Sequence, residues 1–338
     1  MLRHNLLIIY RNFKRFRSSF FINLIGLSTG LTCTLLIYLW VNDELHVDKF
    51  HKNDDRLYEV FENQQNSSNS IRFMGSTPGL LSEELAATIP EVEYSTVVTD
   101  YVDESNLSVG EKQMDALGEY VGKDFFQVFS YGLTQGDASK VMADKNSIVI
   151  SEKIALNLFG TVDNIVGKTI LFQKEKEFLI TGVFKEIPLN SSSRFDFVLS
   201  YEIIKETNPG VLKWENSGPF TYVVLKKGSD VDRFSKKIVD LIKTKTKDTH
   251  RTLVPARYSE VYLYGGDHKG GRIDYVILFS VIAIFILAIA CINFMNLSTA
   301  RASRRVKEVG IKKAIGANRK TLIGQYLGES LLMSFVSL

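Results

Sequence analysis

Two long uncharged runs constrain this chain more than any other feature. Residues 18–42 contribute 25 positions without a charge, and residues 275–300 contribute 26. About 20 predominantly apolar residues cross the hydrocarbon core of a bilayer. We read a first transmembrane helix over 18–42 and a second over 273–300. A cleaved signal peptide is the rival reading of the first run, but its apolar region is about 7–15 residues long and ends at a small-residue cleavage site. This run is longer and leads into "LIYLWVNDEL", which favours a retained anchor. Residues 321–338 carry one charge, Glu329, and read as the start of a third span. The sequence stops inside that span, so a longer parent polypeptide is expected.

Charge sets the expected orientation, because cytoplasmic flanks collect Lys and Arg. Residues 1–17 hold Arg3, Arg11, Lys14, Arg15 and Arg17 and no acid. Residues 301–320 hold eight basic residues and one acid, Glu308. Between them, residues 42–272 hold 28 basic and 35 acidic residues, so the net charge of +3 conceals a segregation. Both basic ends are expected in the cytoplasm, and residues 43–272 outside it. Cys33 and Cys291 fall in the apolar runs, which leaves the external stretch without a disulfide framework. Its length of about 230 residues suffices for one or two hydrophobic cores.

Before the first span, Leu2, Leu6, Ile9, Phe13 and Phe16 recur at alternating spacings of four and three and share one helical face. This predicts an amphipathic helix over 1–17. It can lie on anionic membrane lipid or pack on a partner protein. Within the first span, Gly26 and Gly30 form a small-xxx-small pattern suited to close helix packing. Asn293 and Asn296 near the end of the second span read as interhelical hydrogen-bonding groups, or as part of a polar path.

The external stretch mixes strand and helix signals. A strand over 57–64, a helix starting at Thr77-Pro78 and stopped by Pro90, and a strand over 92–99 make one β-α-β unit. A second follows late: a strand over 220–226, a helix over 231–245, then strand-like "RTLVPARYSEVYL". Val231, Phe234, Ile238, Leu241 and Ile242 share one face of that helix, the pattern of a helix covering a sheet. The expected fold class is α+β: one mixed lobe from about 50–100 and 219–265, with an inserted β-rich lobe over about 101–218. Inside the insertion, "NSIVISEKIALNLFG" reads as a strand followed by a helix from Ser151.

Signals for chemistry are thin. Gly167-Lys168-Thr169 lacks the spacing of a phosphate-binding loop and reads as a β-turn. His46 and His51 lie near Asp48, Asp54 and Asp55, but without clean ligand spacing; a solvated juxtamembrane loop is the favoured reading over a metal site. No Ser-His-Asp or Cys-His set can be assembled. Neither a catalytic residue nor a metal ligand is assigned, and the chain is expected not to be an enzyme.

The stretch "LSTARASRRVKEVGIKKAIGANRKTLIGQYLGESLL" resembles the membrane signature of the FtsX/MacB-like ABC transporter permeases, through Arg304, Lys307, Glu308, Gly310, Lys312, Lys313, Ala314, Gly316, Ala317, Glu329 and Ser330. "RNFKRFRSSFFINLIGLSTGL" is similar to the same family's N-terminal segment. "SIVISEKIALNLFG", "IVGKTILF" and "FLITGVFKEIP" resemble the inserted lobe of its periplasmic core domain. The resemblance implies a multi-pass inner-membrane permease with a porter-like lobe and an inserted β-rich lobe in the periplasm. It implies mechanotransmission: a separate cytosolic ABC ATPase, which binds ATP and Mg, drives the periplasmic domain in export or extraction of a substrate. No cofactor is expected in this chain. A second permease unit, as a homodimer or a downstream repeat, and a periplasmic partner protein are further implied partners.

The basic stretch 301–320 acquires a reading from this. Composition alone divides it between a topology-fixing flank and a cationic surface for an acidic groove on a partner. The resemblance favours docking on the ATPase through Arg304, Lys307, Glu308, Gly310, Lys312 and Lys313. Tethering between two spans argues against nucleic acid. On a helical wheel the second span continues to about Val309, and the register slips near Gly310. The alternative function is a membrane-anchored periplasmic sensor or regulator that recruits a protein partner.

Overall fold

The computed structural model describes residues 17–65, 71–99, 104–246, 248, 250–267, 269–304, 306–316, 318–320 and scattered positions from 322 to 335. The amphipathic face of Leu2, Leu6, Ile9, Phe13 and Phe16 lies outside these residues. The chain divides into two compact units, one built from its two ends and the other from His46–Ile273.

In the terminal unit, α1 (Arg17–Glu44) and α9 (Arg272–Arg304) are the two helices among the described residues that are long and apolar enough to cross a membrane. At about 1.5 Å per residue each exceeds the roughly 30 Å of a bilayer core. Neither is a soluble core helix, since Ile25, Leu36, Ile284 and Ile289 are each more than 60% exposed.

The His46–Ile273 unit is built on one mixed sheet. Four strands form its first part: β1 (Leu57–Gln65), β4 (Val92–Val98), β13 (Ser217–Leu225) and β14 (Arg251–Arg257). Their order is β14-β1-β13-β4, and all three contacts are antiparallel. Thus β1 and β4 run parallel with β13 between them, and β13 and β14 run parallel with β1 between them. These are two interlocked split β-α-β units. Their helices, α2 (Leu81–Thr88), α6 (Val231–Ile238) and α7 (Leu241–Lys245), cover one sheet face. Val60, Leu81, Leu85, Phe234, Ile238 and Leu253 form that core. Pro255 is tolerated because β14 is an edge strand, and Pro219 because the register of β13 shifts there.

Three expectations change here. The helix does not start at Thr77-Pro78. Ser76–Pro78 form a short strand, β3, paired with β13, and the helix begins at Leu81. The reason is the buried Thr77 hydroxyl, 2.7 Å from that of Thr221, which ties the segment to the sheet. The helix over 231–245 breaks after Ile238, because the Val239 carbonyl accepts a hydrogen bond from Leu253 N–H of β14 at 3.1 Å. Its apolar face is as read: Phe234, Ile238, Leu241 and Ile242 are buried. Finally, the strand-like run ends at Arg257 and becomes a helix, α8 (Tyr258–Tyr264), which buries Tyr258 and Leu263.

The insertion extends the same sheet. β5 (Ser105–Val109), β6 (Lys112–Ala116), β7 (Gly118–Val121), β9 (Ser147–Ser151), β10 (Thr169–Phe172), β11 (Lys176–Phe184) and β12 (Phe197–Ser200) follow β4 in the order β7-β12-β9-β11-β10-β5-β6. The short strands β2 (Ile71–Met74) and β8 (Leu133–Gln135) pair off this path with β1 and β11. The junction is one bridge, Val98↔Val121. Helix α4 (Glu152–Phe159) is capped by Ser151, whose Oγ accepts from Ile154 N–H, and ends at Gly160 with φ +77. It packs Ile154 and Leu158 on Ile148, Ile150 and Phe178. A further core joins insertion and first part: Leu57, Val98 and Val224 meet Phe126, Phe129 and Val198, with α3 (Phe125–Val128) between them. A last short helix, α5 (Glu202–Thr207), follows β12. Gly167, at φ +91, sits in the expected turn.

Candidate functional sites

The chain leaving α1 enters the folded domain through a buried linker. Val47, Asp48 and His51 are 7%, 1% and 3% exposed. This overturns the reading of a solvated loop for Asp48 and His51, while His46 and Asp55 are exposed, and the cause is a dense set of bonds. Asp48 N–H donates to Asn190 O at 2.9 Å, and Asn190 Nδ2 donates to His46 O at 2.9 Å. Ser192 N–H and Oγ donate to the Asp48 carboxylate at 2.8 and 2.5 Å. Asp48 adopts φ +60, a left-handed conformation that Asp tolerates better than most residues. The linker is therefore latched to the 187–194 loop of the insertion.

His51 completes the latch. Its Nδ1 accepts from Ser130 N–H at 3.1 Å, and its ring packs against Phe129, Tyr131 and Tyr258 with centroids 5.2–5.6 Å away. Burial lowers its pKa to about 4, so the neutral ring is the resident form. Burial raises the pKa of Asp48, against the lowering effect of the Ser192 bonds. Among the described residues no cluster of three His, Cys, Asp or Glu side chains could hold a metal ion.

Sequence patterning also did not single out a buried ion pair. Arg251 of β14 meets Glu62 of β1 side by side, Nε to Oε1 at 2.5 Å and Nη2 to Oε2 at 2.6 Å. Trp214 O and Ser217 Oγ accept further bonds from the guanidinium. The available signal was a charge at an inward position of each strand.

In the terminal unit α1 and α9 run antiparallel in contact. A Cβ at Gly30 would lie 2.6 Å from the Cβ of Ala290, and one at Gly26 would lie 3.2 Å from Asn293 Nδ2. Thr34 Oγ1 donates to Gly30 O at 2.8 Å, and Trp40 meets Phe279 edge-on at 5.1 Å. The two glycines thus occupy the line of closest approach. Asn296 is exposed, and so is Asn293 beside Gly26.

The basic segment is helical over α10 (Val306–Ala314). Helix is described on both sides of position 305, up to Arg304 and from Val306, and Gly310 lies within α10, so no slip occurs there. The surroundings of Gly310 are open, so nothing forces a break there. Termination comes instead at Gly316, with φ +95, whose N–H donates to Lys313 O at 3.0 Å. Arg304 lies in α9, and Lys307 and Glu308 lie in α10. Lys312 is half-buried and Lys313 exposed. Val306, Ile311 and Ile315 are 66%, 61% and 82% exposed, so the segment presents apolar as well as cationic surface.

These parts occur together in known proteins. The profile of the MacB-like periplasmic core domain matches residues 20–241, more than half of the chain, and that of the FtsX-like permease C-terminal region matches residues 280–338. The chain belongs to the MacB/FtsX-like family of ABC transporter permeases. The macrolide export ATP-binding/permease protein MacB of Neisseria meningitidis serogroup A is 27% identical to this MacB-like permease over 221 residues, 64% of this chain and 33% of that protein. Its counterpart in Aggregatibacter actinomycetemcomitans is 24% identical over 265 residues, covering 74% of this chain and 38% of that one. The MacB-like chain thus spans 33% and 38% of the length of these two relatives. Among solved structures, a domain described as coming from a permease protein of Porphyromonas gingivalis superposes with a TM-score of 0.53 at 20% identity, covering 62% of this chain and 93% of that domain. That likeness concerns the fold of the MacB-like domain.

Proposed function

We propose that this MacB-like permease converts ATP hydrolysis on a cytosolic ABC ATPase into movement of its extracytoplasmic domain at the inner membrane, in export or extraction of a substrate. The observation that carries the reading is the latched linker. Asp48 follows the end of α1 by four residues and is tied to the 187–194 loop by three hydrogen bonds. The segment that follows α1 is thereby fixed to the insertion within the folded domain. A segment held in this way suits mechanotransmission, in which no substrate needs to cross through the helices.

The ATPase contact falls on Arg304, Lys307, Glu308, Gly310, Lys312 and Lys313. A partner interface buries apolar and charged groups together, and α10 offers Val306, Ile311 and Ile315 beside its lysines. ATP and Mg belong to the ATPase. A second permease unit packs against the exposed apolar surface of α1 and α9. Two relatives whose names join an ATP-binding part to a permease support this division of labour.

The test is co-purification with an ABC ATPase in detergent, comparing the parent chain with the double variant Arg304→Glu and Lys307→Glu. Retention of the ATPase by the parent and loss by the variant is the expected result. Equal retention by both removes the docking site from this segment.

A further inference from the structure

The 187–194 loop reverses direction in a β-turn. Ser191 N–H donates to Pro188 O at 3.0 Å, and Leu189 and Asn190 are the corner residues. Such corners usually carry Asn, Asp, Gly or Ser. Leu189 is instead 91% exposed, the most exposed large apolar side chain among the described residues. The turn that presents it is braced. Ile187 packs on the aromatic core at one end, and Phe195 is buried in that core at the other. Arg194 donates to Ile187 O and Leu189 O, which closes the loop on itself. The bonds to His46 and Asp48 fix Asn190 and Ser192. Leu117, 47% exposed, lines a cleft of about 320 Å³ together with Leu189, so the apolar surface extends beyond one side chain.

Chain connectivity brings this turn close to the bilayer. Asn190 Nδ2 donates to His46 O, and His46 follows Glu44, the last residue of α1, by two positions. Two residues reach about 7 Å at most. Trp40 lies four residues before the end of α1, a rise of about 6 Å, and Trp and Tyr side chains mark the headgroup level of a membrane helix. His46 is therefore within about 13 Å of that level by covalent geometry alone. Charge agrees with this position. Residues 46–52 and 185–194 expose Lys49, Lys52, Lys185 and Arg194 against one exposed acid, Glu186, because Asp48 is buried. Basic side chains beside a span attract anionic headgroups, and an apolar tip among basic residues suits the layer between water and acyl chains.

We propose that the 187–194 loop rests on the membrane leaflet at which α1 ends, with Leu189 among the upper acyl chains and Lys49, Lys52 and Arg194 among anionic headgroups. The partner is the lipid surface itself. The same loop that the linker grips then gives the insertion a foothold on the bilayer, so the domain is attached to the membrane at a point besides its covalent connections. The inference rests on α1 crossing the membrane and is independent of ATPase docking, which the Arg304 and Lys307 variants test separately.

The full chain carrying Cys33→Ala and Cys291→Ala is placed in nanodiscs of phosphatidylglycerol and phosphatidylcholine. An environment-sensitive fluorophore is attached at Leu189→Cys or, as a control, at Glu111→Cys in the exposed β5–β6 turn. Both positions face solvent in the isolated domain, so neither change disturbs its core. The Leu189 label is expected to emit to the blue of the Glu111 label. Lipids brominated high in the acyl chain should quench it several-fold more strongly, and aqueous iodide several-fold less. Lys49→Glu with Lys52→Glu should reduce the lipid quenching at Leu189. Equal iodide quenching at the two positions would overturn the proposal. So would a Leu189 label shielded from both quenchers, which would assign the turn to a protein contact. Lipid quenching unchanged in the double glutamate variant would remove the headgroup role of the lysines.

Discussion

His51 shows how one side chain makes the domain sensitive to pH. Its neutral form is buried among aromatic rings, and its pKa falls to about 4 from the ordinary 6.5. Between those values the unfolded chain binds a proton that the folded chain refuses. Stability is then complete above pH 6.5 and is lost progressively as pH falls towards 4, by roughly 3 kcal/mol in total. Asp48 acts in the opposite sense: its raised pKa lets the folded state keep a proton longer, so its contribution falls as pH rises through the window above 3.8. Urea unfolding of the full chain at several pH values between 4 and 7 should show the His51 slope, and His51→Gln should flatten it. An identical slope in the variant would assign the effect elsewhere. The Glu62–Arg251 pair permits a second measurement at this scale. Removing one partner strands a buried charge, so Arg251→Ala should cost about 3–5 kcal/mol in denaturant unfolding. The double change Glu62→Leu with Arg251→Met should recover most of that loss, because no charge is left behind.

At the scale of elements, the helix pair depends on backbone approach. Valine at position 30 forces its Cβ onto Ala290, whose own Cβ belongs to a rigid helix, so α1 and α9 must separate. At position 26 the neighbour is the end of the Asn293 side chain, which can rotate away. Disulfide cross-linking of Thr34→Cys to Ala283→Cys, residues in contact through a 3.5 Å hydrogen bond, should drop several-fold with Gly30→Val and little with Gly26→Ala. Equal effects would mean that the pair is not held by this contact. Elements of this kind were partly legible in the sequence. Period-two and period-3.6 patterns located the strands around Leu57, Val92 and Phe220 and the buried face of Phe234 to Ile242. Where local preference and tertiary bonding competed, tertiary bonding won. Pro78 suits a first helical turn, yet Thr77 holds it to β13. Val239 suits helix, yet its carbonyl serves β14. Hydrogen bonds between distant segments leave no trace in spacing, and the same holds for the latch of Asp48 to Ser192, 144 residues apart.

At the scale of the molecule, sheet order was the least accessible property. One residue bridge, Val98↔Val121, decides that the insertion continues the first sheet, and nothing in either segment announces it. Orientation across the membrane, by contrast, rests on charge spread over many residues, and there the expectation is sharp. The β5–β6 hairpin turns through Gly110–Glu111, an exposed two-residue loop with Gly110 at φ +58. A reporter inserted there perturbs only a solvent-facing turn, so it reads topology without unfolding the domain. Alkaline phosphatase at Gly110–Glu111 should be active and green fluorescent protein at the same place dark. After Lys320 the two reporters should exchange behaviour, because residues 301–320 carry eight basic residues and a single acid. Reversing Arg304, Arg305 and Lys307 to Glu weakens that bias and should lower fluorescence after Lys320 while leaving phosphatase activity in the hairpin in place, since long domains translocate largely regardless of charge. The same reporter active at both positions would put the two ends of α9 in one compartment, and with that the coupling of α10 to a cytosolic ATPase could not operate.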